Sequence, residues 1–298
     1  MLQIGLPPGV VEGPGYGTDS WSNARRGRVT ASRFADVMPE PRSIPKSFQD
    51  RWRHLVPESE RTKVLKSGPR AGQIVDADGL PQRIAEEAAS QHGAYAWSDG
   101  ARGYMMELLA SSITGIDRVG GRSAAMDRGV DMESDAIDAY ALAKFTEVAQ
   151  GRLLLRTDGL LAATPDGFVE DDPDGPGLVE VKCPESKRHM ETWLTREIPE
   201  EYVEQVQGQM WIAGRAWCDF ISYDDRFPAP MRLVIIRVKR DDQLIARMDA
   251  KVGAFAMEVA NRLAEVRGYL RESSPEQADA VHQALKDAVE NVTSSPEA

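Results

Sequence analysis

The chain reads as an α/β protein with a central mixed β-sheet flanked by helices. Three observations carry that reading. Up to about residue 147 the segments with a regular hydrophobic period have helical spacing. Between residues 153 and 182 it changes to short apolar or alternating runs separated by turn residues. Helical and strand patterns then succeed one another to about residue 270, as expected for stacked layers.

Taken in order, residues 1–20 are rich in Gly and Pro and predict an irregular arm. Thr30 is a good helix N-cap, and Ala31, Phe34, Val37 and Met38 follow at helical spacing. PESERTKVLKSGPRAGQIVDADGL (57–80) is polar and Gly-rich, which predicts an insertion or mobile loop within 57–100. Helices are expected near 81–92, 102–113 and 123–147, the last with an apolar stripe of Met126, Val130, Ile137, Tyr140 and Ala141. LLLR, LLAAT, GFVE and LVEVK read as strands, and DDPDGPG (171–177) joins the last two as a hairpin. Helices at 186–195 and 200–213, strands at WCDFISY and MRLVIIRVK, and a long helix over 241–270 complete the main body at 21–270. The tail, 271–298, holds a short helix or is disordered.

Composition narrows the function. An apolar fraction of 42 % supports a core, yet no apolar run is long enough to cross a bilayer. The N-terminus lacks the basic start and apolar run of a secretory signal. Cys183 and Cys218 form no C-x-x-C pair and the four histidines are scattered, which argues against a disulfide framework or a zinc site and for the cytoplasm. The net charge of -11 excludes a general nucleic-acid coat. Trp21–Val56 departs from it, with eight Lys/Arg against three acids. That stretch is either a solvated basic face or a phosphate-contacting segment.

The chemistry concentrates in TPDGFVEDDPDGPGLVEVKCP (164–184). Asp166 lies in a Pro-Asp-Gly turn entering one strand. Glu180 and Lys182 sit two apart on the next, on one face of it. The hairpin returns Asp166 towards that face. Magnesium takes one or two carboxylates plus water and phosphate oxygens, so Asp166 and Glu180 suit it as ligands, with the Val181 carbonyl between them as a further one. Lys182 would stand beside the water and the scissile phosphate, either to help deprotonate the water or to neutralise developing charge. A bare E-x-K triplet is common on surface hairpins. The P-D-G prefix and the apolar flanks Leu178, Val179 and Val181 favour the metal site. Glu133 fits either a carboxylate at the core edge within reach of the metal, or a solvated acid among Asp131, Asp135 and Asp138.

These blocks resemble the phage lambda exonuclease, or YqaJ-like viral recombinase, branch of the PD-(D/E)xK nucleases. They are RRGRVTASRFADVM (25–38), EPRS (40–43), RGVDMESDAIDAYA (128–141), TPDGF, LVEVKCP and YVEQVQGQMWIAG (202–214), in that order. The resemblance runs from about Trp21 to Gly268 and implies a restriction-endonuclease-like core. It implies that Asp166, Glu180 and Glu133 bind metal and that Lys182 is the catalytic lysine. Gln205 and Gln207 would orient water or a phosphate oxygen, unless they cap local backbone. Arg25, Ser32 and Arg42 would hold a 5′-terminal phosphate, with Thr164 nearby; arginine's planar fork suits that task. Trp21 is expected in the core rather than at the duplex end.

The implied reaction is Mg2+-dependent 5′-to-3′ removal of nucleotides from linear double-stranded DNA, leaving 3′ single strands for recombination. The implied cofactor is two Mg2+ ions, with Mn2+ able to substitute. A homotrimeric ring around DNA, a single-strand-annealing partner protein and a phage- or prophage-encoded origin in a bacterial host follow from the same resemblance. The alternatives are a restriction- or repair-type endonuclease with the same site, and a non-enzymatic DNA-end-binding protein.

Overall fold

A computed structural model describes residues 4–15, 18–39, 50, 53–77, 79–80, 83–84, 97–116 and 124–272. Strand β1 (Val10–Glu12) and helix α1 (Asp19–Arg25) lead into β2 (Val29–Thr30) and the short α2 (Phe34–Val37). Helix α3 (Glu58–Arg61) precedes a hairpin of β3 (Thr62–Val64) and β4 (Ile74–Asp76). Helices α4 (Asp99–Thr114) and α5 (Ala124–Lys144) follow. Next come β5 (Ala149–Gln150), β6 (Leu154–Arg156), β7 (Leu161–Ala163), β8 (Gly167–Val169) and β9 (Gly177–Lys182). The chain continues through α6 (Ser186–Thr195), α7 (Val203–Ala213), β10 (Trp217–Tyr223), β11 (Leu233–Lys239) and α8 (Asp242–Glu272).

The central sheet has the order β11-β10-β9-β8-β5 and is mixed: β9 and β10 run parallel, the other pairs antiparallel. Strand alternation sends Leu178 and Phe220 to one face, into a core shared with Phe34, Val206, Met210 and Phe255. Val179, Val181 and Ile221 go to the other, against Ala136, Tyr140 and Trp217. Helices thus cover both faces: α7 with α2 and α8 behind it on one side, α5 on the other. This burial explains why LVEVK reads as an almost continuous apolar run. Gly208 lets α7 approach closely, since a Cβ there would stand 2.5 Å from the Phe34 ring.

Three features differ from the expectation. The clustered strands divide between two sheets, because β6 and β7 belong to a second one of order β1-β6-β7-β2. The N-terminal arm is partly regular: β1 pairs antiparallel with β6, and Ile4, Leu6 and Val10 pack against the core. The polar stretch at 57–80 carries the antiparallel β3–β4 hairpin. In each case the strands have only two or three residues, a signal too short for periodicity to reveal. Most of the helix expected at 81–92, the EPRS block with Arg42 and the tail from 273 onwards lie outside the described residues. Among the described residues no helix is long and apolar enough to cross a membrane.

Candidate active site

The hairpin β8–β9 sets the geometry. Its register pairs Gly167 with Val179, so one step further Asp166 comes opposite Glu180. Two bonds fix that step. The Asp166 N–H donates to the Val179 carbonyl at 3.1 Å, and the Val181 N–H donates to Asp166 Oδ2 at 2.7 Å. Strand alternation points the Val181 carbonyl the same way as its N–H, towards Asp166 where β8 has ended. A closely packed glycine supports the turn: a Cβ at Gly151 would collide with the Pro165 carbonyl.

Glu180 is only 1 % exposed. A buried carboxylate is costly unless fully hydrogen-bonded, and Glu180 has three donors. Lys182 Nζ lies 2.6 Å from Oε1, which also accepts from Gln205 Nε2. Gln209 Nε2 donates to Oε2 at 2.7 Å. Burial pulls the Lys182 ammonium down, but Glu180 and Asp166 outweigh it and hold the group above its usual range. The Tyr202 ring, 5.0 Å from Nζ, covers the ammonium on another side. Burial first, and then the charges of Glu180 and Glu133, push the Asp166 carboxyl well above the carboxylate range. Burial and Glu180 also raise Glu133.

Glu133 arrives from the opposite face, on α5. That helix is pinned on both sides of it. Arg128 reaches the fully buried Asp224 at 3.2 Å, and the Tyr140 hydroxyl donates to Asp219 Oδ2 at 2.8 Å. Although burial raises Asp224, hydrogen bonds from Arg226 and Ser186 hold its carboxyl well below the usual range. The pins explain how a helix acid ringed by solvated neighbours turns its charge towards the sheet.

A cleft of about 520 Å³ joins Asp166 and Glu133 to the N-terminal segment. Glu133, Asp166 and Gln205 line it together with Arg25, Ser32 and Thr164. The Arg25 guanidinium stacks over Trp21 at 4.2 Å. Trp21 is therefore a half-buried wall of the cleft, not the core residue expected. The hydroxyl of Thr30 lies 3.3 Å from those of Ser32 and Tyr104 and caps no helix, contrary to its expected role.

Gln207 is not brought to the acids. Its Nε2 donates to the Lys239 carbonyl at 2.9 Å and its Oε1 accepts from the Asp241 N–H, so it caps the turn between β11 and α8. Gln209, which the sequence reading passed over, takes the place expected of it. The helical period decides this: residues 205 and 209 share a face, while 205 and 207 do not.

The donor set suits a hard cation. It consists of carboxylate oxygens and a backbone carbonyl, and burial first, then the neighbouring acids, raise Asp166 and Glu133. Among the described residues no three acidic, histidine or cysteine side chains close into a cation cage.

Fold and site together define a deoxyribonuclease with a restriction-endonuclease-like core. Residues 20–216 match the family described as the YqaJ-like viral recombinase domain, and the chain belongs to that family. An alkaline exonuclease from Laribacter hongkongensis is 30 % identical, with a TM-score of 0.60 over 86 % of this chain and 99 % of that one. The same exonuclease in complex with dAMP aligns at 31 % identity and a TM-score of 0.59, over the same shares of the two chains. A phage-related exonuclease from Haemophilus somnus shares the fold at 13 % identity, with a TM-score of 0.50 over 83 % of this chain and 99 % of that one. No match was found among curated proteins.

Proposed function

We propose that the protein is a Mg2+-dependent 5′-to-3′ exonuclease that degrades one strand of linear double-stranded DNA and leaves a 3′ single strand. The observation that carries the reading is the single cleft joining Asp166 and Glu133 to Arg25, Ser32 and Thr164. Cation-binding acids and a candidate 5′-phosphate anchor share one cavity, so a strand end held at Arg25 brings a nearby phosphodiester to the acids.

Asp166, Glu180, Glu133 and the Val181 carbonyl would hold the cation, as two ions or one, with Mn2+ able to replace Mg2+. When bound, the ion lowers the pKa of a water and offsets phosphoryl charge. Lys182, as an ammonium beside Glu180, neutralises charge on the phosphoryl oxygens as the pentacoordinate state forms. Gln205 holds Glu180 and orients a water or phosphate oxygen. Arg25 and Ser32, with Arg42, bind the terminal phosphate, and Trp21 backs the Arg25 guanidinium. The dAMP complex of the Laribacter exonuclease supports a nucleotide-sized site in this family. We extend the proposal to a nuclease unit over 21–270, a homotrimeric ring, a single-strand-annealing partner and a cytoplasmic, phage-derived setting.

The deciding experiment uses end-labelled linear duplex with either a 5′-phosphate or a 5′-hydroxyl. The expected outcome is mononucleotide release from the 5′ strand, faster with the phosphate and abolished by chelator. Release from the 3′ end, or cutting of closed circular DNA, would refute the polarity or the exonuclease class. End binding without hydrolysis in magnesium would leave a binding protein.

A further inference from the structure

Gln209 is 1 % exposed and stands one helical turn after Gln205 on α7. Its Nε2 donates to Glu180 Oε2 at 2.7 Å and to the Thr164 carbonyl at 3.3 Å. Both partners only accept, so the amide has one satisfactory orientation, nitrogen towards them. Its Oε1 then meets no donor among the described residues, although the side chain lines the cleft. Thr164 begins the turn that carries Asp166. One amide therefore ties the backbone holding the first acid to the side chain of the second. Gln205 occupies the other oxygen of Glu180, so the two glutamines grip the carboxylate at both ends.

We infer that Gln209 is a positioning residue that sets the spacing of Asp166 and Glu180, and with it the affinity of the site for a divalent cation. Its Oε1 is left to accept from a water in the hydration shell of that cation. The inference rests on the nuclease reading above. Loss of the amide frees Glu180 Oε2 and the Thr164 turn together. The acids then have to be ordered by the cation itself, which weakens binding without removing a ligand.

The test is Gln209→Met, which keeps side-chain length and loses both bonds. Two readouts are used: Mn2+ binding to the DNA-free protein by calorimetry, and the Mg2+ dependence of hydrolysis of 5′-phosphorylated linear duplex. The Mn2+ Kd and the Mg2+ concentration for half-maximal rate should both rise about tenfold, the lower end of what outer partners of metal ligands contribute. The rate should recover at saturating Mg2+. Gln209→Asn, a shorter amide that cannot span both acceptors, should weaken Mn2+ in the same direction and serves if the methionine variant does not fold. An unchanged Mn2+ Kd overturns the inference, as does a rate that stays low at saturating Mg2+. A wild-type protein that binds Mn2+ but cuts no DNA would instead defeat the nuclease reading, and the Mn2+ titration would still decide the role of Gln209.

Discussion

Asp166→Asn should make the protein more stable and nearly inactive at once. The wild-type carboxyl is buried beside Glu180 and Glu133 and is held well above its usual range, against the pull of Lys182 and the Val181 N–H. An asparagine keeps an oxygen for the Val181 N–H, now bonded at 2.7 Å, and removes a group whose ionised form is opposed first by burial and then by Glu180 and Glu133. Relief of that kind at a functional site is worth about 1–2 kcal/mol, or about 3–6 °C in Tm for a chain of this size. The sign with pH follows from linkage. A carboxyl raised on folding leaves stability intact below the unfolded pKa of about 3.9 and lowers it as pH rises towards the folded value. The advantage of the variant should therefore appear at neutral pH and vanish near pH 4. Differential scanning calorimetry in chelator reads it directly. Wild type should regain the difference in magnesium, about 2.7 kcal/mol at a hundred times Kd, whereas the variant should gain little. Hydrolysis should fall about a thousandfold, the equivalent of roughly 4 kcal/mol. A variant less stable than wild type in chelator at neutral pH would refute the argument that the acids are crowded for a cation.

Glu180→Gln should lose hydrolysis by a comparable factor, and calorimetry should show no magnesium-dependent rise in Tm. Arg25→Ala should slow digestion of 5′-phosphorylated ends by about 10- to 100-fold, the worth of a charge-assisted bond, and leave 5′-hydroxyl ends little changed. Equal effects on both substrates would remove Arg25 from the phosphate pocket. Gln207→Ala should cost about 1–3 kcal/mol in urea unfolding, because it removes two hydrogen bonds to part-buried backbone groups, each worth about 0.5–1.5 kcal/mol, with hydrolysis per folded molecule unchanged.

Much of the site was legible because it is local. Asp166, Glu180 and Lys182 lie on one hairpin, and a period of two with a turn signal between the strands suffices to bring them together. Apart from β5, the elements from α5 to α8 were legible for the same reason, since each leaves its period in the sequence. Glu133 could not be resolved from spacing. Its neighbours are acids on all sides, and only the Arg128 and Tyr140 contacts made across the fold settle which way it turns. Gln207 was misread through a family pattern, although the helical period pointed to Gln209. The short strands β1, β2 and β5 left no periodic trace.

The sequence by itself determined the chemistry available: hard oxygen donors, an amine on the same strand face and arginines gathered near the N-terminus. It did so because residue type and strand alternation are properties of the chain over a few residues. Only the tertiary structure decided which of these groups share a cavity. Bringing Arg25 and Ser32 to the cleft of Asp166 depends on β2 pairing with β7 and on α7 lodging against Phe34. Those contacts join segments more than a hundred residues apart, and they exist only once the core has packed.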